Sequence, residues 1–266
     1  MQIFLCKDDF EWILCGIYDA WCVGDHSQTR IELRDTCQRE LFCQYTGVKR
    51  EKEKAEKVIR SVKRKLSDAY FYRFYQVFLS CDLDKADVMY RMLIKGFSLG
   101  VRALDMLQDP DMARAFELAR AVGRESHFFT EFLRFEKMRN GIYAARIEPK
   151  NNVLPVIADH FSDRLNPEHF FIYDGTRGEA VIHPAGNPWF LLKLSPKEWR
   201  EIFQEMRKQY HSCRETQEDY QELWRLFVDT IAVEGRINPK LQRQMMPYRY
   251  RGYMPEFGSS FWDDLC

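Results

Sequence analysis

The chain has 266 residues, carries 40 Lys+Arg against 40 Asp+Glu, and is 45% apolar. That composition gives one large domain or two small ones with a buried core. It excludes a polyanion binder that relies on overall charge, so any such surface must come from local segregation of cations.

In chain order, QIFLCKD reads as a short first strand. FEWILCGIYDAWCVG then places Phe10, Ile13, Leu14, Ile17, Tyr18 and Trp21 at helical spacing and stops at Gly24. RIELRD and LFCQYTGVKRE read as further short strands, with Gly47 as a bulge or bend. The stretch 53–133 is mostly helical, with helices near 53–80, 84–99 and 111–121 and with Asp84 and Asp109 or Asp111 as N-caps.

Around residue 126 the character changes. SHFFTEFLRFEKMRNGIYAARIEP reads as a helix or strand that turns through Asn140-Gly141 into a strand. NNVLPVIADHFSDRL is an amphipathic helix, and HFFIYD, EAVIHP and WFLLKL are three successive strands, the first two joined through Asp174-Gly175-Thr176-Arg177-Gly178. Residues 196–234 are again helical. Strands clustered beside helices, without regular alternation, predict an α+β fold. It is expected as a mainly helical N-terminal half packed with a small antiparallel sheet and C-terminal helices. The boundary falls near 125, giving regions 1–125 and 126–266, or one continuous domain.

The eight cysteines, at 6, 15, 22, 37, 43, 81, 213 and 266, include no CxxC pair. A thiolate zinc or iron–sulfur site needs such a pair on a tight turn, so reduced thiols are expected instead. No apolar run approaches the ~18 residues of a membrane-spanning helix. The opening MQIFLCKDD lacks the basic start and small-residue cleavage site of an export signal, which points to the cytoplasm. The GxSxG elbow, the P-loop, a helix-opening GxGxxG, a CxxxCxxC cluster and the deaminase HxE…PCxxC pattern are all missing.

Three segments carry chemistry. GVKREKEKAEKVIRSVKRKL holds nine cations against three acids between Lys49 and Lys65. On a helix Lys57, Arg60 and Arg64 share a face that can track phosphates, or that is simply solvated and paired through Glu51–Lys54, Glu53–Lys57 and Glu56–Arg60. The second segment, 127–183, holds His127, His160, His169 and His183. There His160 and Arg164 lie one helical turn apart, as do Asp159 and Asp163, while Asp174 and Arg177 sit at a hairpin tip. His160, Asp163 and Asp174 are the catalytic candidates of an enzyme acting on a nucleobase or nucleotide, with Arg164 as its anion binder. His160 with Asp159 or Asp163 is the only compact imidazole–carboxylate pair, and it lacks metal-site spacing, so no metal is expected. The third segment is MMPYRYRGYMPEF with Arg243 upstream: Arg249 and Arg251 alternate with Tyr248, Tyr250 and Tyr253 between Pro247 and Pro255. If extended, it would turn arginines to one side and tyrosines to the other, with Tyr248 and Tyr250 available to stack on bases.

HFFTEFLRF, GIYAARIEP, ADHFSDRL, FFIYDGTRG and the terminal LWRLFVDTIAVEGRINPKLQRQMMPYRYRGYMPEF together resemble an uncharacterised bacterial family assigned to DNA metabolism or repair. The resemblance spans most of the chain and is most specific from residue 127 onward. It implies a DNA-binding accessory encoded beside a radical SAM protein, with the iron–sulfur cluster and S-adenosylmethionine in that partner and no cofactor in this chain. Many members are fused to a uracil-DNA-glycosylase-like domain, and this chain resembles the unfused form. His160, Arg164, Arg134, Asp174 and Arg177 fall on the matching motif positions. Phe128 and Glu131 stand where the family pattern has Arg and Gly, which weakens a phosphate-binding role for that element. A protein–protein adaptor is the remaining alternative.

Overall fold

The computed structural model describes residues 1–138, 141–211, 226–227, 230 and 238–254. The chain divides into two compact units, Met1–Arg124 and Glu125–Cys266, and the fold is α+β.

The first unit runs β1 (Gln2–Cys6), α1 (Phe10–Val23), β2 (Thr29–Leu33), β3 (Gln44–Gly47), α2 (Lys52–Lys65), α3 (Asp68–Phe78) and α4 (Lys85–Leu99). It ends in α5 (Pro110–Phe132), whose residues beyond Arg124 belong to the second unit. The Asp9 carboxylate starts α1 by accepting from the Trp12 amide at 3.2 Å, and Gly24 ends it at φ 83°, where a side chain would be strained. β1 is the central strand, parallel to β2 on one side and to β3 on the other. Parallel strands need a crossover, which α1 supplies between β1 and β2. Gly16 permits close packing of that helix, since a Cβ there would lie 2.3 Å from Cys6 Sγ.

Side chains of α4 satisfy backbone groups of β2 and of the turn before it. Asp87 Oδ1 accepts from the Ile31 amide at 3.1 Å, and Arg91 donates to the carbonyls of His26 and Thr29. An edge that would otherwise offer unpaired polar groups is covered. The helical stretch expected over 53–80 is two helices, because the Ser67 hydroxyl accepts from the Tyr70 amide at 3.0 Å and starts a new one. Asp109 caps α5 by accepting from the amides of Asp111 and Met112, whereas the Asp84 side chain makes no capping bond. α5 continues past 121 because Ala115, Leu118, Val122, Ser126 and Phe129 extend one buried stripe at helical spacing.

The second unit contains β4 (Glu136–Lys137), β5 (Tyr143–Ile147), α6 (Leu154–Arg164), β6 (Phe170–Asp174), β7 (Glu179–His183), β8 (Phe190–Lys193) and α7 (Pro196–His211). Two short helices, α8 (Pro239–Met245) and α9 (Tyr248–Arg251), follow. The sheet order is β4-β5-β6-β7-β8. β5 and β6 run parallel with α6 as their crossover, and the other neighbours are antiparallel. Alternation along β6 sends Phe170 and Ile172 to one face and Phe171 and Tyr173 to the other. The first face packs on Leu154, Ile157 and Phe161 of α6, the second on Trp199 and Phe203 of α7. α7 opens with a capping box in which the Glu198 carboxylate accepts from the Ser195 amide at 2.7 Å. Trp199 anchors it by donating to the Gly178 carbonyl at 2.8 Å. Gly141 takes φ 83°. Asn140, Cys213, Pro255, Cys266 and most of the expected helical stretch 196–234 beyond His211 lie outside the described residues.

Candidate functional site

The amphipathic pattern of α2 is resolved into two faces. Ala55, Val58 and Val62, at i, i+3 and i+7, are buried, while Lys57, Arg60 and Arg64 are exposed on the opposite side. Of the expected ion pairs, Glu51–Lys54 closes at 2.9 Å and Lys54 also reaches Asp19 at 2.8 Å, so Lys54 is consumed within the fold. Glu56 lies 3.9 Å from both Lys52 and Arg60. Among the described residues, Lys57, Arg64 and Lys65 make no ion pair. Lys57 Nζ lies 5.7 Å from the Tyr18 ring centroid and Lys65 Nζ 5.6 Å from that of Phe97.

In the second unit a cleft of about 370 Å³ opens between the end of α5 and α6. Arg134 and Arg164 both line it, with Phe135 and Phe161 as apolar walls and Thr130 and Glu131 as polar ones. The Arg134 guanidinium donates to the carbonyls of Glu131 and Leu133, so it also caps the C-terminal end of α5. Glu131 is the partner of His127 at 3.1 Å. The arginines thus share one concavity, and the other residues of the proposed catalytic group are elsewhere. His160 is exposed with its ring against Phe161, Asp163 is exposed, and neither lines the cleft.

Asp174 is fully buried and holds the β6–β7 turn. Its carboxylate accepts from the amides of Thr176 and Arg177 and pairs with the Arg177 guanidinium at 2.9 Å. Burial pushes its pKa up, against the Arg177 charge and the hydrogen bonds that pull it down. Arg177 also donates to the carbonyls of Pro149 and Lys150. The hairpin-tip pair is therefore a turn clamp, with none of the open access that a loop tip suggests. Among the described residues no group of three or more His, Cys, Asp or Glu side chains could hold a metal ion, and no helix is long and apolar enough to cross a membrane. None of the described cysteines is joined in a disulfide.

The C-terminal segment corrects the sequence expectation most. Over Tyr248–Arg251 it is a single helical turn rather than extended, so these tyrosines and arginines do not separate onto two faces. Tyr250 is 5% exposed and packs on Phe128, Phe129 and Phe132, which removes it as a base-stacking platform. Burial raises its hydroxyl to about 12. Tyr253 accepts from the Glu148 amide at 3.1 Å. Arg249 donates to the buried carboxylate of Glu125 at 2.7 Å and to the Glu148 carbonyl, so its charge is committed inside the unit. Tyr248 is exposed, with the Arg251 guanidinium stacked over it at 4.3 Å, and Arg243 is exposed at the end of α8.

Two features escape a reading of the sequence. Glu125 is one of eight residues of α5 in the second unit, and its carboxylate also accepts from the amides of Lys150 and Asn151 and from the Asn151 side chain. An acid at a buried position of the helical stripe is the signal for it. The other is an aromatic cavity beside α2, where Tyr18 and Trp21, spaced i and i+3, meet Lys57, Ser61 and Lys65, spaced i, i+4 and i+8.

No curated protein sequence matches the chain. The model of the domain of unknown function DUF4130 matches residues 83–256, a span that takes in α4, α5 and the second unit up to the segment after α9 and leaves out α2. The chain belongs to the DUF4130 family.

Proposed function

We propose that this protein is a nucleic-acid-binding component of DNA metabolism, which grips the phosphate backbone through the exposed face of α2. The observation that carries this reading is the exposed stripe of Lys57, Arg60 and Arg64, backed by a buried apolar face, in which Arg60 has Glu56 at 3.9 Å while Lys57 and Arg64 make no ion pair among the described residues. Lys57 to Arg64 spans about 10 Å along a helix, comparable to three nucleotide steps at about 3.4 Å of axial rise per strand. Electrostatic contacts of this kind do not depend on sequence, which suits an accessory rather than a reader of bases. Arg134 and Arg164 would add a second, weaker anion contact, since Glu131 lines the same cleft.

The family resemblance adds the context: a radical SAM partner would supply the iron–sulfur and radical chemistry and act on DNA held by this chain. A catalytic reading through His160, Asp163 and Asp174 has less support, since Asp174 is clamped in the core and only Arg164 of the α6 group reaches the cleft. Titration of duplex and single-stranded DNA at two or more salt concentrations tests the proposal. Micromolar or tighter binding that weakens steeply with salt supports it, and undetectable binding at low salt removes it.

A further inference from the structure

The first unit holds a cavity of about 480 Å³ between α1, α2 and α4. Its aromatic wall is built by Trp21 and Phe97, whose rings meet edge to face at 5.3 Å, with Tyr18 beside them. Trp21 is 36% exposed, with its ring packed on His26 at 4.7 Å and on Phe97, which leaves part of its surface open to the cavity. Across from it α2 presents Lys57, Ser61 and Lys65 along one line, and no carboxylate lines the cavity. Both ammonium groups rest over aromatic rings and make no ion pair among the described residues, so they can swing toward an anion without breaking a salt bridge.

An apolar aromatic slot that ends in two ammonium groups and a hydroxyl selects a ligand with a flat π face and a negative charge. The volume lies in the range that encloses a small ligand of a few rings, and an aromatic side chain offers a stacking face to any base. We infer that this cavity binds a 5′-phosphorylated nucleoside, with the base against Trp21 and the phosphate on Lys57, Ser61 and Lys65. The choice of ligand rests on the nucleic-acid reading above. The same chemistry is presented by a free nucleotide and by an unpaired residue within a strand.

The test uses the full chain, with deoxynucleoside monophosphates, the matching unphosphorylated nucleosides, deoxyribose 5-phosphate, a short single strand and a fully paired duplex as separate probes. The monophosphate should bind saturably, and at least tenfold more tightly than either the nucleoside or the sugar phosphate. Trp21→Leu should weaken it at least tenfold. Lys65→Glu, at an exposed position with no ion pair among the described residues, should do the same and covers the case of a Trp21 variant that fails to fold. Preference for the single strand over the mononucleotide would assign the cavity to an unpaired base, and the reverse would assign it to a free nucleotide. No monophosphate binding, or binding unchanged in Lys65→Glu, overturns the inference. If the duplex still binds with a steep salt dependence in that event, the reading of the α2 stripe stands without it. If the monophosphate binds and neither DNA does, the cavity stands and the DNA reading falls.

Discussion

Arg249 and Glu125 lie 124 residues apart in the chain, and their side chains meet at 2.7 Å in the second unit. Glu125 is 5% exposed, and Arg249 completes a set of donors that already includes two backbone amides and the Asn151 side chain. A buried carboxylate is tolerable only when its oxygens are satisfied. The pair therefore fastens the C-terminal turn to the start of the unit, and Arg249 serves as a structural residue there.

Arg249→Ala should lower stability by about 2 kcal/mol, less than the ~3–5 kcal/mol of a fully broken buried pair because three donors remain on Glu125. Arg243→Ala, at an exposed site, should stay within about 0.5 kcal/mol. Urea denaturation compares them. Equal midpoints for the two variants would mean that Arg249 is not a fastening residue. Tyr250→Ala, which empties a site lined by three phenylalanines, should cost about 3–5 kcal/mol by the same measurement.

Gly96 of α4 faces Tyr70 of α3, whose hydroxyl donates to the Met92 carbonyl at 2.6 Å. A Cβ at 96 would sit 2.5 Å from that hydroxyl oxygen and 2.7 Å from the ring carbon bearing it. Gly96→Ala should therefore destabilise by about 1–3 kcal/mol through overpacking, despite the better helix propensity of alanine. Tyr70→Phe should recover part of that loss in the double variant while costing about 1 kcal/mol alone. Additive effects of the two changes would place them out of contact.

The Lys95 ammonium, hydrogen-bonded to Asp109, holds that carboxyl below the ordinary range, helped by the Met112 and Asp111 amides. A carboxyl that is more acidic in the folded state stabilises fully above its unfolded pKa of about 3.9. That contribution is lost as the pH falls through the lower folded value. Thermal midpoints of the parent chain and Asp109→Asn should differ at pH 7, and the gap should start to shrink at about pH 4 and close only as the pH falls below the lower folded value. A gap that stays constant into acid would show that the charge of Asp109 is irrelevant to folding.

Local signals carried most of the elements. Alternation in HFFIYD sets both faces of β6, and the Ala55, Val58 and Val62 spacing sets the buried face of α2. The Ser67 cap is present in the sequence but is hidden within a run of helix formers. What stayed illegible depends on distant partners. The parallel pairing of β1 with both of its neighbours follows from the α1 crossover and from β3 arriving on the open side, which periodicity does not encode. The terminal segment alternates like a strand and yet coils, because Tyr250 fits among Phe128, Phe129 and Phe132 and Arg249 finds Glu125. The candidate residues followed the same division. The stripe on α2 is visible from spacing alone, while the local Asp174–Arg177 turn is closed into a clamp by the distant carbonyls of Pro149 and Lys150, which no local pattern names.

The α2 stripe is tested most directly by the salt dependence of duplex DNA binding for the parent chain and for the triple variant Lys57→Gln, Arg60→Gln, Arg64→Gln. All three side chains are exposed, so the fold should survive. Each phosphate contact contributes about 0.9 to the slope of log affinity against log salt. The parent should bind at low salt, and the triple variant should lose roughly 2–3 from that slope together with most of its affinity. A parent chain that does not bind, or a triple variant with the parent's slope, would contradict the assignment of α2 as the phosphate-binding face.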